Sequence, residues 1–395
     1  MPATPDVSVP AGDAEIGALA AILAQVFTVE TGAAGAREWF DRTGVPNLRV
    51  VRRGGAVVGG LLVLPMGQWF GGRSIPMAGI AGVGIAPEHR GGGTATELMA
   101  GTLRGLRADG FALSALYPAT QTVYRRVGYE RAGLKVRYKV ATKAIDVRDR
   151  GAGVRRAAEA DLPAAEACYR RRAAATNGNL DRGPYVWWRA RGGREGGAHG
   201  YVAEEAGVVT GYVWFVHLQT PDFIPDLACT DLVATTPGAA RRLLGFFADH
   251  RSLAGSLSWL GAPNDPLAFQ LREQAEIDHE IDMLWMLRIL DLERALAGRG
   301  YAPEVRAELH LDVADDLFAE NRGRFVVRIA NGRGVVERGG RGEVAIDVRG
   351  LAPVFTGLAG PGDLAASGLA SGPPAALAAV CAGFAGPCPW LAEHF

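Results

Sequence analysis

Val83-Gly84-Ile85-Ala86-Pro87-Glu88-His89-Arg90-Gly91-Gly92-Gly93-Thr94-Ala95 reads as a strand, a stop, a glycine loop and the opening of a helix. Val83 to Ile85 are apolar, and the run ends at Pro87, which has no N–H to give to a ladder. Gly91-Gly92-Gly93 remove side-chain bulk where a backbone must pass close to something. From Thr94 onward Leu98, Met99, Leu103 and Leu106 recur at helical spacing. A helix start carries unpaired N–H groups and a partial positive charge. A glycine loop leading into one forms a cradle for a diphosphate. The loop has neither the Gly-Lys-Ser/Thr ending of a nucleoside triphosphate loop nor the spacing G-x-G-x-x-G.

Upstream, Asp13 caps a helix with Ile16, Leu19, Ile22, Leu23, Val26 and Phe27 on one face. Strand-like runs follow at Leu48–Arg52, Ala56–Trp69 and Ser74–Ile85, parted by Gly54-Gly55 and Gly71-Gly72 as hairpin turns. Downstream of the Thr94–Ala108 helix come an apolar strand, Phe111–Tyr117, a helical segment, Thr120–Arg126, and a strand beginning at Tyr129.

The order then repeats, which makes a second copy of the same unit. Ala157–Ala175 is a helix, Tyr201–Glu205 and Val208–His217 flank a turn, Leu227–Ala234 is a third strand, Pro237–His250 a helix and Ser256–Leu260 a strand. Pro237 aligns with Pro87, but Gly238, Ala239, Ala240, Arg241, Arg242 and Leu243 follow it in place of the three glycines. The second copy keeps the pattern and lacks the cradle. After a connecting helix, Asp291–Ala297, strands at Val305–Val313, Arg324–Ile329, Gly334–Glu337 and Val344–Val348 precede helices at Pro353–Leu358, Leu364–Leu369 and Ala375–Phe384.

A chain of 395 residues is too long for one core and divides into two or three domains. Lys and Arg number 42, Asp and Glu 42, so no net charge steers the molecule to nucleic acid or an anionic membrane. Cys168, Cys229, Cys381 and Cys388 form no C-x-x-C pair and read as small buried apolar residues in a reducing compartment. No basic n-region precedes an apolar stretch, so a cytoplasmic protein without a signal peptide is expected. Leu364–Leu391 carries no charge, but Pro373-Pro374 and several glycines break it, so packed short helices are expected and no membrane span. No H-E-x-x-H or Cys/His cluster exists, and no metal is expected.

Arg90, Gly93 and Ala95 fill the pattern R-x-x-G-x-A, and the first copy resembles the GNAT superfamily of N-acetyltransferases, whose acetyl-CoA signature this is. The C-terminal strands and helices resemble the sterol-carrier-protein fold. Two acetyltransferase modules, only the first with a loop, followed by such a domain, resemble the enhanced-intracellular-survival family of N-acetyltransferases over the full length. The resemblance implies an α+β fold: tandem GNAT-type modules with mixed sheets and flanking helices, then a sterol-carrier-like α/β domain. It divides the chain at residues 1–150 (catalytic), 151–290 (degenerate acetyltransferase-like) and 291–395 (sterol-carrier-like, ending in the active site).

The most specific further match is Ala115-Leu116-Tyr117-Pro118-Ala119-Thr120 followed by Val123-Tyr124-Arg125-Arg126-Val127-Gly128-Tyr129. In the family the first tyrosine of Y-x-x-x-G-Y is the proton donor, which falls on Tyr124. A final phenylalanine with a free carboxylate in the active site falls on Phe395. The family implies a homohexamer and polycationic amine substrates: aminoglycosides, polyamines or lysine side chains. The chain departs from the family at Ala119, where a serine is common, and at Gly91-Gly92, where arginines are common.

Acyl transfer to an amine needs a held thioester, a neutral amine, oxyanion stabilisation and a proton for the thiolate. The backbone of Val83, Gly84 and Ile85 suits the first task. The amides of Gly91, Gly92, Gly93, Thr94, Ala95 and Thr96 suit the diphosphate, with the Arg90 guanidinium and the flanking Ala119 and Thr120 beside them. Tyr124 suits the acid, since a tyrosine near pKa 10 keeps its proton at neutral pH and lies above a thiol near about 8.5. Tyr117 and Tyr129 are rival acids; His394 and His89 are rival bases to the Phe395 carboxylate. No cysteine falls in this site to carry an acyl group, so attack is direct, in a ternary complex. Glu30, Glu38, Asp41 and Glu393 could attract cations, and Trp39 and Phe40 could wall the pocket. The rival function is a lipid or acyl-CoA carrier protein without catalysis.

Overall fold

The computed structural model describes residues 6–193, 196–221 and 223–395. Along the chain the first elements are β1 (Asp6–Ser8), α1 (Asp13–Val26), α2 (Gly32–Thr43), β2 (Leu48–Arg53), β3 (Ala56–Phe70), β4 (Arg73–Ile85), α3 (Thr94–Ala108), β5 (Leu113–Leu116), α4 (Gln121–Arg125) and β6 (Glu130–Ala141). There follow β7 (Gly153–Arg156), α5 (Leu162–Ala174), β8 (Leu180–Asp181), α6 (Pro184–Ala190), β9 (His199–Glu205), β10 (Val208–Leu218), β11 (Asp226–Ala234), α7 (Pro237–Ala248), β12 (Ser256–Gly261) and β13 (Ile277–Ile289). The last are α8 (Leu292–Gly298), β14 (Ala307–Ala314), β15 (Gly323–Ala330), β16 (Arg333–Arg338), β17 (Val344–Asp347), α9 (Val348–Thr356), α10 (Pro361–Ala366), β18 (Ala370–Ser371) and α11 (Pro374–Phe384). The chain forms two compact units: residues up to Ala132 with Trp285–Gly386 and Phe395, and Gly133–Leu284 with Pro387–His394.

In the first unit the two glycine pairs set the meander. Gly54 and Gly55 (φ 56° and 80°) and Gly71 and Gly72 (φ 57° and 82°) are left-handed at both turn positions. That is the two-residue turn whose twist matches its strands, and it fixes the registers Arg53↔Ala56 and Phe70↔Arg73. The strands run β1-β2-β3-β4-β5-β13, with β5 parallel to β4 and antiparallel to the end of β13. Leu98, Met99, Leu103 and Leu106 of α3 are buried with Val51, Leu61, Val63, Ala78 and Ile80 of the sheet, so the helical spacing at Thr94 marked the core face. Two local expectations change. Asp13 is the first residue inside α1, after Gly12, and its side chain caps nothing. α2 is an additional helix; Thr31 stands at its cap position, but its side chain makes no capping bond.

The C-terminal domain of this unit is a five-stranded sheet in the order β16-β15-β14-β17-β18, with β14 and β17 parallel. Asp347 caps α9 by accepting from the Arg349 amide, and Gly357 ends it in the left-handed region. Arg299 is buried there without a carboxylate: Nε donates to Phe355 O, Nη1 to Gly300 O and Nη2 to Phe384 O. Burial holds its pKa down at about 10.

The second unit repeats the first module's order. β7, β9, β10, β11 and β12 form its sheet, antiparallel except for β11 and β12, which are parallel. Val213, Phe215, Leu227, Leu243, Phe247 and Trp259 lie in its core. No helix among the described residues is long and apolar enough to cross a membrane, the Leu364–Leu391 stretch included. Cys168 and Cys229 are buried, whereas Cys381 and Cys388 are half-buried.

Candidate active site

β4 pairs with β3 nearly to its end, at Gly59↔Ile85, but with β5 only at Met77↔Leu113, Ala78↔Ser114 and Gly79↔Ala115. Beyond Gly79 the two parallel strands separate. The β5-facing edge of Ile80–Ile85 is left without a strand partner, and backbone N–H and C=O groups in that state are a ready template for an extended ligand. The separation begins where β4 bulges: Gly60↔Gly84 and Leu62↔Ala81 leave Gly82 and Val83 opposite one residue, and Gly82 has φ 58°. A β-carbon on Gly82 would lie 2.7 Å from the Trp39 ring, so this indole packs on the bulge. Phe40, expected as a second wall, is fully buried in the core instead.

The loop after β4 turns through Gly91 (φ 81°) and Gly93 (φ 88°), and Gly93 stands immediately before α3. The first bond of the helix runs from the Glu97 amide to Gly93 O. No side chain caps the helix, and the amides of Gly91 through Thr96 have no acceptor among the described residues. Nothing lies within 4 Å of where a β-carbon would stand on Gly91, Gly92 or Gly93. The loop therefore presents bare backbone donors at the positive end of a helix, the arrangement that holds a diphosphate. Arg90 is exposed, and its Nε donates to Ile85 O at 3.0 Å. That bond orients the guanidinium and leaves both Nη groups for an anion. Ala119 and Thr120 are exposed in the turn before α4.

Three tyrosines sit at or beyond the end of β5, and hydrogen bonding separates two of them. Tyr129 is fully buried; its hydroxyl shares a 2.7 Å bond with Ser114 Oγ, which donates to Ala78 O. Burial pushes its pKa far up, and it has no route to a ligand. Tyr124 packs edge-on against the Tyr129 ring at 6.1 Å, yet its hydroxyl makes no hydrogen bond with any described residue. Burial raises its pKa as well, so it holds its proton over a wider range than a free tyrosine. Tyr117 meets Phe395 ring to ring at 5.8 Å. The Phe395 side chain is buried, and its seat is Gly79: a β-carbon there would stand 2.8 Å from the phenylalanine ring.

Arg288 is the residue that sequence reading missed. It is fully buried on β13, opposite Ser114, and its Nη2 donates to both oxygens of Asp315 at 2.7 and 2.9 Å. Gly128 (φ 89°) lies on its guanidinium; a β-carbon there would come within 2.7 Å of Cζ. The glycine of the Y-x-x-x-G-Y pattern is thus explained by a cation 160 positions further on, which no local spacing reveals. Among the acidic candidates Glu30, Glu38 and Asp41 are exposed, and Glu38 is held by Arg42 at 2.8 Å. Glu393 is buried in the second unit in an ion pair with Arg182, which removes it from the set of surface charges.

The comparisons with known proteins agree with this domain order. Family models described as "Acetyltransferase (GNAT) domain" match residues 9–132 and 178–289, and one described as "Sterol carrier protein domain" matches residues 292–392. An uncharacterized N-acetyltransferase of Streptomyces coelicolor is 29% identical over 82% of both chains. The N-acetyltransferase Eis of Mycobacterium tuberculosis is 30% identical over 336 residues, 79% of each chain. Among solved structures, a GCN5-related N-acetyltransferase from Anabaena variabilis is 35% identical with a TM-score of 0.93, covering 99% of this chain and 100% of that one. Eis1 from Mycobacterium abscessus, at 24% identity and a TM-score of 0.82 over 99% of this chain and 100% of that one, shares the fold. With its two acetyltransferase modules and sterol-carrier-like domain, the chain belongs to the Eis family of GNAT N-acetyltransferases.

Proposed function

We propose that the protein moves an acetyl group from acetyl-CoA to a primary amine of a polycationic substrate, an aminoglycoside, polyamine or lysine side chain, by direct attack in a ternary complex. One observation carries this reading: the unpaired edge of Ile80–Ile85 leads directly into six open amides at a helix start. The edge of Val83, Gly84 and Ile85 receives an extended pantetheine arm as a neighbouring strand would. The amides of Gly91–Thr96 and the Nη groups of Arg90 receive the diphosphate, flanked by Ala119 and Thr120. Acetyl-CoA supplies the acetyl group as a thioester.

The chain's own residues handle the protons. As the nitrogen–carbon bond forms and the carbon–sulfur bond breaks, Tyr124 Oη gives its proton to the departing sulfur. The α-carboxylate of Phe395, ionised above about pH 3.7, takes the proton that the amine sheds, through a water where the distance requires it. Tyr124 suits the acid better than Tyr129 because its hydroxyl has no competing bond.

The decisive experiment is mass spectrometry of products from acetyl-CoA and a panel of such amines. A mass gain of one acetyl group on the amine supports the reading. Tight binding of acetyl-CoA or lipid with no product from any amine favours the carrier reading. The family resemblance also supports a homohexamer working in the cytoplasm; a monomer by light scattering at micromolar concentration would reject that assembly.

A further inference from the structure

The second module has no glycine cradle, yet it contains the most heavily buried charge cluster of its unit. Arg182 lies at its centre with 1% of its side chain exposed. Its Nη1 and Nη2 donate to the two oxygens of Asp231 at 2.6 and 3.0 Å. Its Nε donates to Glu393 Oε1 at 2.6 Å, and Tyr169 Oη donates to the same oxygen at 2.9 Å. Tyr212 Oη donates to Asp231, and the guanidinium lies 3.5 Å above the Tyr169 ring.

Glu393 belongs to the C-terminal segment, and the backbone of that segment is held as well. The Trp390 amide donates to Asn177 O at 3.1 Å, and Asn179 Nδ2 donates to Trp390 O at 2.8 Å. On the other side the Leu134 amide donates to Pro389 O, and the Leu391 amide donates to Leu134 O, both at 3.1 Å. Trp390 and Leu391 are buried, and the Arg172 guanidinium covers the Trp390 ring at 5.1 Å. This is capture of an extended peptide by backbone pairing plus side-chain pockets, with the chain's own segment as the peptide.

Stability alone does not account for a guanidinium and two carboxylates inside a protein, because an apolar set of the same volume would serve about as well. What the ions add is a fixed address for one residue. We propose that Arg182, with Asp231 and Glu393, positions the C-terminal segment for catalysis, so that the second module serves as the receptor of the segment that carries Phe395. Phe395 lies two positions beyond Glu393, a reach of at most about 7 Å. Arg182, Asp231 and Glu393 are positioning residues; none of them touches substrate in this account. The proposal rests on the reading that Phe395 takes part in acetyl transfer.

The test uses the full chain with Glu393→Ala and Glu393→Gln, followed by hydrogen exchange of residues 387–395 and by steady-state kinetics. Glu393→Ala removes the acceptor of Arg182 Nε and leaves Tyr169 Oη with Leu180 O, at 2.8 Å, as its acceptor. The Trp390 and Leu391 amides should then exchange at least about tenfold faster. The kcat for the amine should fall at least about tenfold, with KM for acetyl-CoA within about twofold. Glu393→Gln keeps a carbonyl oxygen for both donors and should retain most of the protection and most of the rate. Unchanged exchange in Glu393→Ala overturns the receptor role, whatever the activity. Faster exchange with an unchanged kcat overturns the positioning role. A native chain that acetylates no amine defeats the functional reading alone, since the exchange measurement still reports whether the cluster holds the segment.

Discussion

At the start of α3 the first module leaves the six amides of Gly91–Thr96 open; at the start of α7 the second module caps the Ala239 amide with a side chain and has a proline as its first helical residue. Thr236 Oγ1 accepts from the Ala239 amide at 3.0 Å and donates to Glu205 Oε2 at 2.6 Å. Pro237 has no N–H to offer. A β-carbon on Gly238 would stand 1.9 Å from Glu205 Oε1, so a carboxylate already occupies the space above the helix start. The second module carries its own anion where the first is open to one. The alignment of Pro237 with Pro87 does not hold, since Pro237 opens α7 whereas Pro87 lies seven residues before Thr94 opens α3; the second module has no loop of that kind, and its helix start is filled.

That contrast can be broken or sharpened by measurement. The largest effect is expected at Tyr124, whose counterpart role the second module has no reason to keep. Tyr124→Phe keeps the ring packed on Tyr129 and removes only the donor, so kcat should fall about 10²–10⁴-fold with acetyl-CoA affinity nearly unchanged. A wild-type kcat with chemistry rate-limiting would assign the proton to water or another residue. Next is Gly93→Asp, which sets a carboxylate beside the expected diphosphate at a position with φ 88°. Its Kd for acetyl-CoA should rise at least about tenfold, roughly 1.4 kcal/mol, while Glu205→Gln in the second module should leave Kd unchanged. Equal losses by calorimetry would show that both modules bind the ligand.

A smaller effect is expected at the closed helix itself. Thr236→Ala should cost about 1 kcal/mol of stability in denaturant unfolding and nothing in cofactor affinity. The last expectation concerns pH. Burial pushes the Asp231 carboxyl up, but the Arg182 pair outweighs it and holds the pKa below the usual carboxylate range. A depressed folded value gives stability that is present above the unfolded pKa, about 3.9, and is lost as pH falls through the folded one. Acid unfolding of the native chain should therefore include a step that Asp231→Asn lacks. Superimposable acid profiles would remove Asp231 from the account.

The hairpins, α3 and its buried face were legible because their causes are local. Gly-Gly pairs set left-handed turns, and a period of 3.6 marks a helix face. β13 was not legible, because Asp278, Glu280 and Asp282 interrupt its apolar pattern and its register with β5 joins residues some 170 positions apart. Arg288 escaped for the same reason: an arginine in a strand reads as a surface residue until Gly128 and Asp315 are seen around it. Trp39 packs on the bulge at Gly82 while Phe40 is buried in the core, since neighbours on a helix face different ways. Glu393 shows the opposite error, a charge near a chain end taken for a surface group when Arg182 had buried it.

Arg299 bears on what the sterol-carrier-like domain can do. Its guanidinium joins the last carbonyl of α11 and a carbonyl in the last turn of α9, so one cation fastens the ends of two helices and the chain at Gly300. Separating those helix ends would strand a buried cation among carbonyls it no longer touches, a loss of several kcal/mol. The junction of α9, α11 and the chain at Gly300 therefore moves as one piece or not at all.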